Sequence, residues 1–109
     1  MKKKLSNSFE SEEAEVVVLN GTSAYGVAAN EKTKLEDKGY TIKSSGNAPS
    51  GVGGFDGVRI YKLTEEKPKT AKALKKRYEV DFEAEIPEAL KSYEADFIVV
   101  IGGGYTSKD

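Results

Sequence analysis

Four residues, Asn20-Gly21-Thr22-Ser23, stand between the apolar run Val16-Val17-Val18-Leu19 and a segment of helical periodicity beginning at Ala24. Backbone N–H groups at such a point, helped by the helix dipole, can hold a phosphate or a carboxylate. Tyr25 follows directly and adds an aromatic surface to this candidate ligand site. The turn has no Walker lysine, because no G-x-x-x-x-G-K-[ST] is present, and it has no G-x-G-x-x-G. The competing reading is architectural: Asn20 bonds local backbone, and Thr22 or Ser23 caps the helix that follows.

Other residues offer different chemistry. Lys69, Lys72 and Lys76 fall on one helical stripe, within a segment that also carries Lys67, Lys75 and Arg77. A polyanion could dock there; a solvated helix face is the plain alternative. Arg59 and Tyr61 share one face of a strand, opposite Val58 and Ile60, and form a candidate partner or glycan surface. The alternative for Tyr61 is a half-buried ring at the core edge. Glu83, Glu85, Glu88, Glu94 and Asp96 lie close in sequence, but they read as surface charge rather than as an acid–base pair. Gly51-Val52-Gly53 contains G-x-G, yet it precedes a strand instead of opening a helix, so it fails as a dinucleotide fingerprint.

Composition narrows the classes further. The 109 residues include no cysteine and no histidine, which removes thiolate chemistry, disulfides and the commonest general base. No calcium-loop pattern is present, and the sequence calls for no metal and no cofactor. The net charge of -1 provides no global field toward nucleic acid or an anionic membrane. The longest apolar runs have strand length, so no membrane insertion by this segment is expected.

The elements that must position these residues follow from periodicity and punctuation. Val16–Leu19 reads as a strand buried on both faces. Ala24 to Lys38 reads as a helix, with Gly39 at its C-terminal end, and Tyr40 to Lys43 as a second strand. Residues 44–57 hold five glycines and one proline and read as a loop. Val58 to Leu63 is a third strand, and Pro68 suits the first turn of a helix ending near Glu79. Val80 to Ile86 reads as a weak edge strand, 86–95 as a turn or single helical turn, and 95–101 as the last strand. The expected fold is a small two-layer α/β sandwich, β-α-β-β-α-(β)-β, with a mixed sheet and two helices on one face. The first and last strands should be neighbours at its centre. Their second face is apolar too, and its cover could be the N-terminal arm, the glycine-rich loop or another chain through homodimerisation or domain docking.

In that order, "VVVLNGT", "KGYTI", "GNA", "VRIYK", "AKALKKRY" and "ADFIVVIGGGY" resemble the LytR C-terminal domain family over roughly residues 15–105. The resemblance implies an accessory α/β module of the bacterial cell envelope, for which an anionic wall polymer or the peptide carboxylates of peptidoglycan would be the polyanion that docks at Lys69, Lys72 and Lys76. It implies a place on the outer side of the cytoplasmic membrane or in the wall, with an anchor outside these residues. The glycine-heavy segment Pro49–Gly57 and the pair Ala24-Tyr25 depart from the family pattern. The expectation is a non-catalytic binding module with residues 1–14 as an arm, 15–105 as the domain and 106–109 as a tail. The alternatives are a small anion- or nucleotide-binding domain using Asn20–Ser23, or a dimerisation module.

Overall fold

The computed structural model describes residues 9–106. Strand β1 (Glu15–Asn20) leads through a loop into helix α1 (Val27–Asp37), which returns the chain to strand β2 (Thr41–Asn47). Strand β3 (Val58–Lys62), helix α2 (Pro68–Tyr78), a one-turn helix α3 (Glu88–Lys91) and strand β4 (Phe97–Ile101) follow. The four strands form one sheet in the order β2-β1-β4-β3. β1 is parallel to both β2 and β4, and β3 runs antiparallel to β4. The expected mixed α/β sheet is thus formed, with β1 and β4 as its central pair. Every residue of β4 is buried, as a strand covered on both faces requires.

Both main helices lie on one face. Ala28 and Leu35 of α1 and Leu74 and Tyr78 of α2 pack with Val16, Val18, Ile60, Phe97 and Val99. The second face carries Val17, Leu19, Tyr61, Ile98 and Val100, and the chain covers it with its own residues. Val52 and Phe55 of the glycine-rich loop cover one part; Leu90 of α3, with Ile86 and Tyr93, covers the rest. Of the three covers considered from sequence, the glycine-rich loop supplies part of this one, and α3, not considered from sequence, supplies the rest.

That loop is a consequence of topology. β2 and β3 are opposite edges of the sheet, so residues 48–57 must cross two central strands, a span of about 14 Å at ordinary strand spacing. They cross over the C-terminal ends of β1 and β4, where backbone touches backbone. Ala48 N–H donates to Asn20 O at 2.9 Å, Gly54 N–H to Gly21 O at 3.0 Å and Gly103 N–H to Phe55 O at 2.7 Å. A Cβ on Gly53 would lie 2.6 Å from the Gly21 carbonyl oxygen, and one on Gly102 would lie 2.6 Å from the Gly57 oxygen. Glycine is required at these crossings because no side chain fits between the two backbones.

Several local expectations change. β2 extends to Asn47, through Ser44-Ser45-Gly46, because its parallel ladder with β1 needs only backbone groups; its side chains are exposed. Val80 to Ile86 forms no strand: only Phe82 bridges to Ile60, at the outer edge of β3. α1 starts at Val27 rather than Ala24. Of the expected arm, residues 9–14 are described, and Phe9–Glu12 forms a 3₁₀ turn against α2. Phe9 stacks on Tyr40 at 4.2 Å between ring centroids. Residues 1–8 and 107–109, which include most of the expected tail, lie outside the described residues.

Candidate functional site

The turn after β1 is tied inward. Asn20 is buried, and its Oδ1 accepts from the Thr22 N–H at 2.8 Å and the Thr22 hydroxyl at 2.7 Å. Its carboxamide donates to Ala24 O at 2.6 Å, and Ala24 N–H donates to Thr22 Oγ1 at 3.1 Å. Gly21 N–H donates to Ile101 O at 2.8 Å, which joins the ends of the two central strands. Neither Thr22 nor Ser23 caps α1, whose N-cap is Gly26 in the left-handed region (φ 78°) with no side-chain cap. The physical reason is competition: Asn20 folds the segment into an Asx-type turn, which delays the helix by a turn. The amides of Gly21, Thr22 and Ala24 are therefore already bonded within the chain. Ser23 is exposed, and Tyr25 stands fully in solvent at 101% relative exposure.

Lys69, Lys72 and Lys76 all lie on α2, at the helical spacing read from sequence, and all three are exposed. Tertiary folding, however, brings Lys62 of β3 and Lys67, Lys72 and Lys75 of the α2 segment around one hollow of 240 Å³. Phe82, Pro68 and Ala71 also line this hollow. The Phe82 ring stacks on Phe97 of the core and lies 5.5 Å from the Lys62 ammonium. Lys62 is 3.2 Å from Glu65, Lys75 is 3.6 Å from Asp81, and Lys67 Nζ donates to Glu12 O at 2.7 Å. Lys72 pairs with no carboxylate among the described residues. Lys72, Lys75 and Lys76 also border a second, shallower hollow with Glu79 and Asp81. Lys69 contributes its main chain: its N–H donates to Glu12 Oε2 at 2.8 Å.

Glu12 is the cap of α2. Its second carboxylate oxygen accepts from the Thr70 N–H and the Thr70 hydroxyl, each at 2.7 Å. Desolvation works to raise the Glu12 pKa, but the hydrogen bonds from Thr70 and Lys69 outweigh it and hold the carboxyl below its ordinary value.

Arg59 and Tyr61 part company. Arg59 is exposed, with its guanidinium 4.2 Å over the Phe55 ring, so it pins the glycine-rich loop. Tyr61 is only 3% exposed and belongs to the core of the second face. The expected stacking surface at Tyr61 is therefore corrected to a core position: β3 pairs with fully buried β4, and α3 covers its outward face. Burial first, and then Glu83, push the Tyr61 hydroxyl pKa up, against the opposing influence of Arg59.

One cluster was not singled out from sequence. Glu31 of α1 is 3% exposed, and its Oε2 collects four donors. These are Tyr78 OH at 2.6 Å, Arg77 NH2 at 3.2 Å and Nε at 3.4 Å, and Tyr105 OH at 3.2 Å. Burial, then the hydrogen bond to Glu31 and its charge, raise the Tyr78 pKa far above the ordinary range despite Arg77. The signal was available: Glu31 lies three residues after Ala28 and four before Leu35, on the apolar stripe of α1. A charge in that position needs a buried partner, and Arg77, in the last turn of α2, could be matched to it only in three dimensions.

Among the described residues no group of three or more acidic side chains could hold a metal ion, and no helix is long and apolar enough to cross a membrane. The fold thus defines a class: a small mixed-sheet α/β domain with a lysine-lined hollow on its surface and a tyrosine–carboxylate cluster buried between its helices. Residues 13–105 match the family described as LytR cell envelope-related transcriptional attenuator, and the chain belongs to this LytR_C family of accessory domains of cell-envelope proteins. Two solved structures are similar. The soluble domain of a conserved hypothetical secreted protein (Rv2700 ortholog) from Mycobacterium marinum aligns with a TM-score of 0.66 at 23% identity. That alignment covers 87% of this chain and 62% of the other. The C-terminal domain of RV0431 aligns with a TM-score of 0.53 at 27% identity, over 94% of this chain and 80% of the other. No curated protein matches.

Proposed function

We propose that the chain is a non-catalytic interaction module of an envelope protein. In this reading it works outside the cytoplasmic membrane and contacts an anionic wall polymer through the lysine-lined hollow of α2. The observation that carries this reading is the convergence of Lys62, Lys67, Lys72 and Lys75 around Phe82, Pro68 and Ala71. Ammonium groups around an apolar floor suit a polymer that alternates acidic groups with sugar or polyol units. Lys72 offers an uncommitted charge, and the exposed carboxylates of Glu65 and Asp81 can release Lys62 and Lys75 to an incoming polyanion, since exposed ion pairs are weak. The small net charge of -1 suits a local patch rather than general polyanion binding. Family membership supports the envelope setting, and the secreted neighbour is consistent with it.

The test is titration of the labelled chain with purified teichoic acid, and separately with solubilised peptidoglycan fragments. Changing Lys72, Lys75 and Lys76 together to alanine should weaken teichoic acid binding about tenfold, the sum of three exposed contacts. The unfolding midpoint should stay in place, because all three side chains are exposed. Equal affinity of the triple variant and the parent chain sinks the reading.

A further inference from the structure

Resting on that reading, we propose that the α2 site takes a phosphodiester flanked on both sides by hydroxylated, uncharged units. Its ligand class is then a polyol- or sugar-phosphodiester polymer rather than a polycarboxylate. The observation behind this is a wall shared by two hollows. Lys72 and Lys75 line both the 240 Å³ hollow over Phe82 and the 450 Å³ hollow beside Val80. They are three residues apart on α2, so their side chains are neighbours on one helix face and form a ridge between the hollows. Lys72 pairs with no carboxylate among the described residues, and the Lys75 ammonium meets an exposed carboxylate, Asp81, at 3.6 Å. Two adjacent ammoniums suit one anionic group on the ridge, with its covalent neighbours lying in the hollows to either side.

The two hollows differ in chemistry, and the difference selects the ligand. The first adds Lys62, Lys67 and Thr64 to its apolar floor, with Glu65 as the carboxylate on its wall. The second is bordered by Lys76 and Val80, but also by Glu79 and Asp81. Carboxylates accept hydrogen bonds from hydroxyls and repel a second anion. The unit in that hollow is therefore hydroxylated and uncharged, and the next acidic group of the polymer lies beyond it. A chain with a carboxylate on every unit would press an acid against Glu79 and Asp81. A phosphodiester avoids this, because its charge lies between the units instead of on them. Each hollow exceeds several times the ~30 Å³ share of one water, enough for a glycerol-sized unit. A phosphomonoester has one organic neighbour and fills one hollow only.

The test is a set of amide shift titrations of the 109-residue chain with glycerophosphoglycerol, a diester, and with glycerol phosphate, a monoester. The monoester carries about twice the charge, so attraction to lysines alone favours it. The diester should nevertheless bind about two- to tenfold more tightly, the worth of the added hydroxyl hydrogen bonds. It should move Thr64 and Phe82 together with Val80 and Asp81, whereas the monoester should move one set. Asp81→Ala, at an exposed position, should tighten the monoester by freeing Lys75 and should narrow the preference for the diester. Phosphatidylglycerol vesicles, whose diester carries acyl chains on one side, should leave the chain in the supernatant on sedimentation. A monoester that binds as tightly as the diester, or cosedimentation with the vesicles, overturns this proposal even where teichoic acid binds and the triple lysine variant weakens it. Failure of teichoic acid itself to bind overturns the underlying reading, so the two failures are told apart.

Discussion

Glu31 occupies a position on the apolar stripe of α1 where an aliphatic side chain would serve a simple core. Its carboxylate is held by Arg77, Tyr78 and Tyr105, so it ties α1 to α2 and to the segment after β4. A buried ion pair is not in itself a large source of stability, but breaking one is expensive. Glu31→Ala, which takes this carboxylate away from Arg77, should cost about 3–5 kcal/mol. Tyr78→Phe, which removes a single donor to the charged oxygen, should cost about 1.5–3 kcal/mol. Urea unfolding midpoints would rank them, and equal costs would mean that the network acts as one unit. The tyrosines also set the alkaline limit. Burial pushes the Tyr40 pKa up to about 12, against the opposing charge of Arg77, and Tyr78 higher still. Folded-state values above the unfolded value of about 10 mean stabilisation that is complete below that pH. It is lost as pH rises through the folded-state values, so ultraviolet titration should show delayed phenolate formation and then unfolding together.

At the scale of elements, α2 is defined by residues far away in sequence. Pro68 starts it, as its fixed φ and missing N–H allow. Yet Lys67 at the N-cap has no side chain able to accept the first amides, and the cap comes from Glu12. Glu12→Ala should destabilise the domain by about 1 kcal/mol, the usual worth of an N-terminal cap. The effect should depend on pH with a definite sign. The folded-state pKa of Glu12 is lowered, so its contribution is present above the ordinary glutamate range and lost as pH falls through the folded value. The difference in unfolding midpoint between parent and variant should shrink in acid. A difference that persists unchanged at pH 2 would show that packing of the 3₁₀ turn, not the carboxylate, is responsible.

The whole molecule is organised by the need to cover two faces of one sheet with a short chain. Two helices cover the first face; a glycine-rich crossing and a single helical turn cover the second. Leu90 is the fully buried anchor of that thinner layer. Leu90→Ala should cost about 2–5 kcal/mol and leave Ile98, Val100 and Tyr61 under a loosened cover. Light scattering should then report association that rises with concentration, as exposed apolar area favours self-contact. A variant that loses stability yet stays monomeric would show that residues 48–57 cover the face unaided.

Periodicity and punctuation determined the central strands, the two helices, the mixed sheet and the resemblance to an envelope domain family. These features are local: β-branched runs at Val16–Leu19 and Phe97–Ile101, Pro68 opening α2, and Gly39 at φ 104° after α1. The architectural reading of Asn20 was equally legible, since an Asn bonds the backbone two residues on wherever a turn allows it. Other features depended on partners distant in sequence. Glu12 caps a helix 57 residues away, Glu31 meets a tyrosine 74 residues away, and Lys62 joins the α2 lysines only because β3 and α2 pack together. The same holds for Tyr61, whose alternation marks a strand but not which face is covered. A single chain encodes element type through short-range spacing, whereas burial of a charge, capping from a distance and closure of a hollow arise only when the sheet order brings those segments into contact.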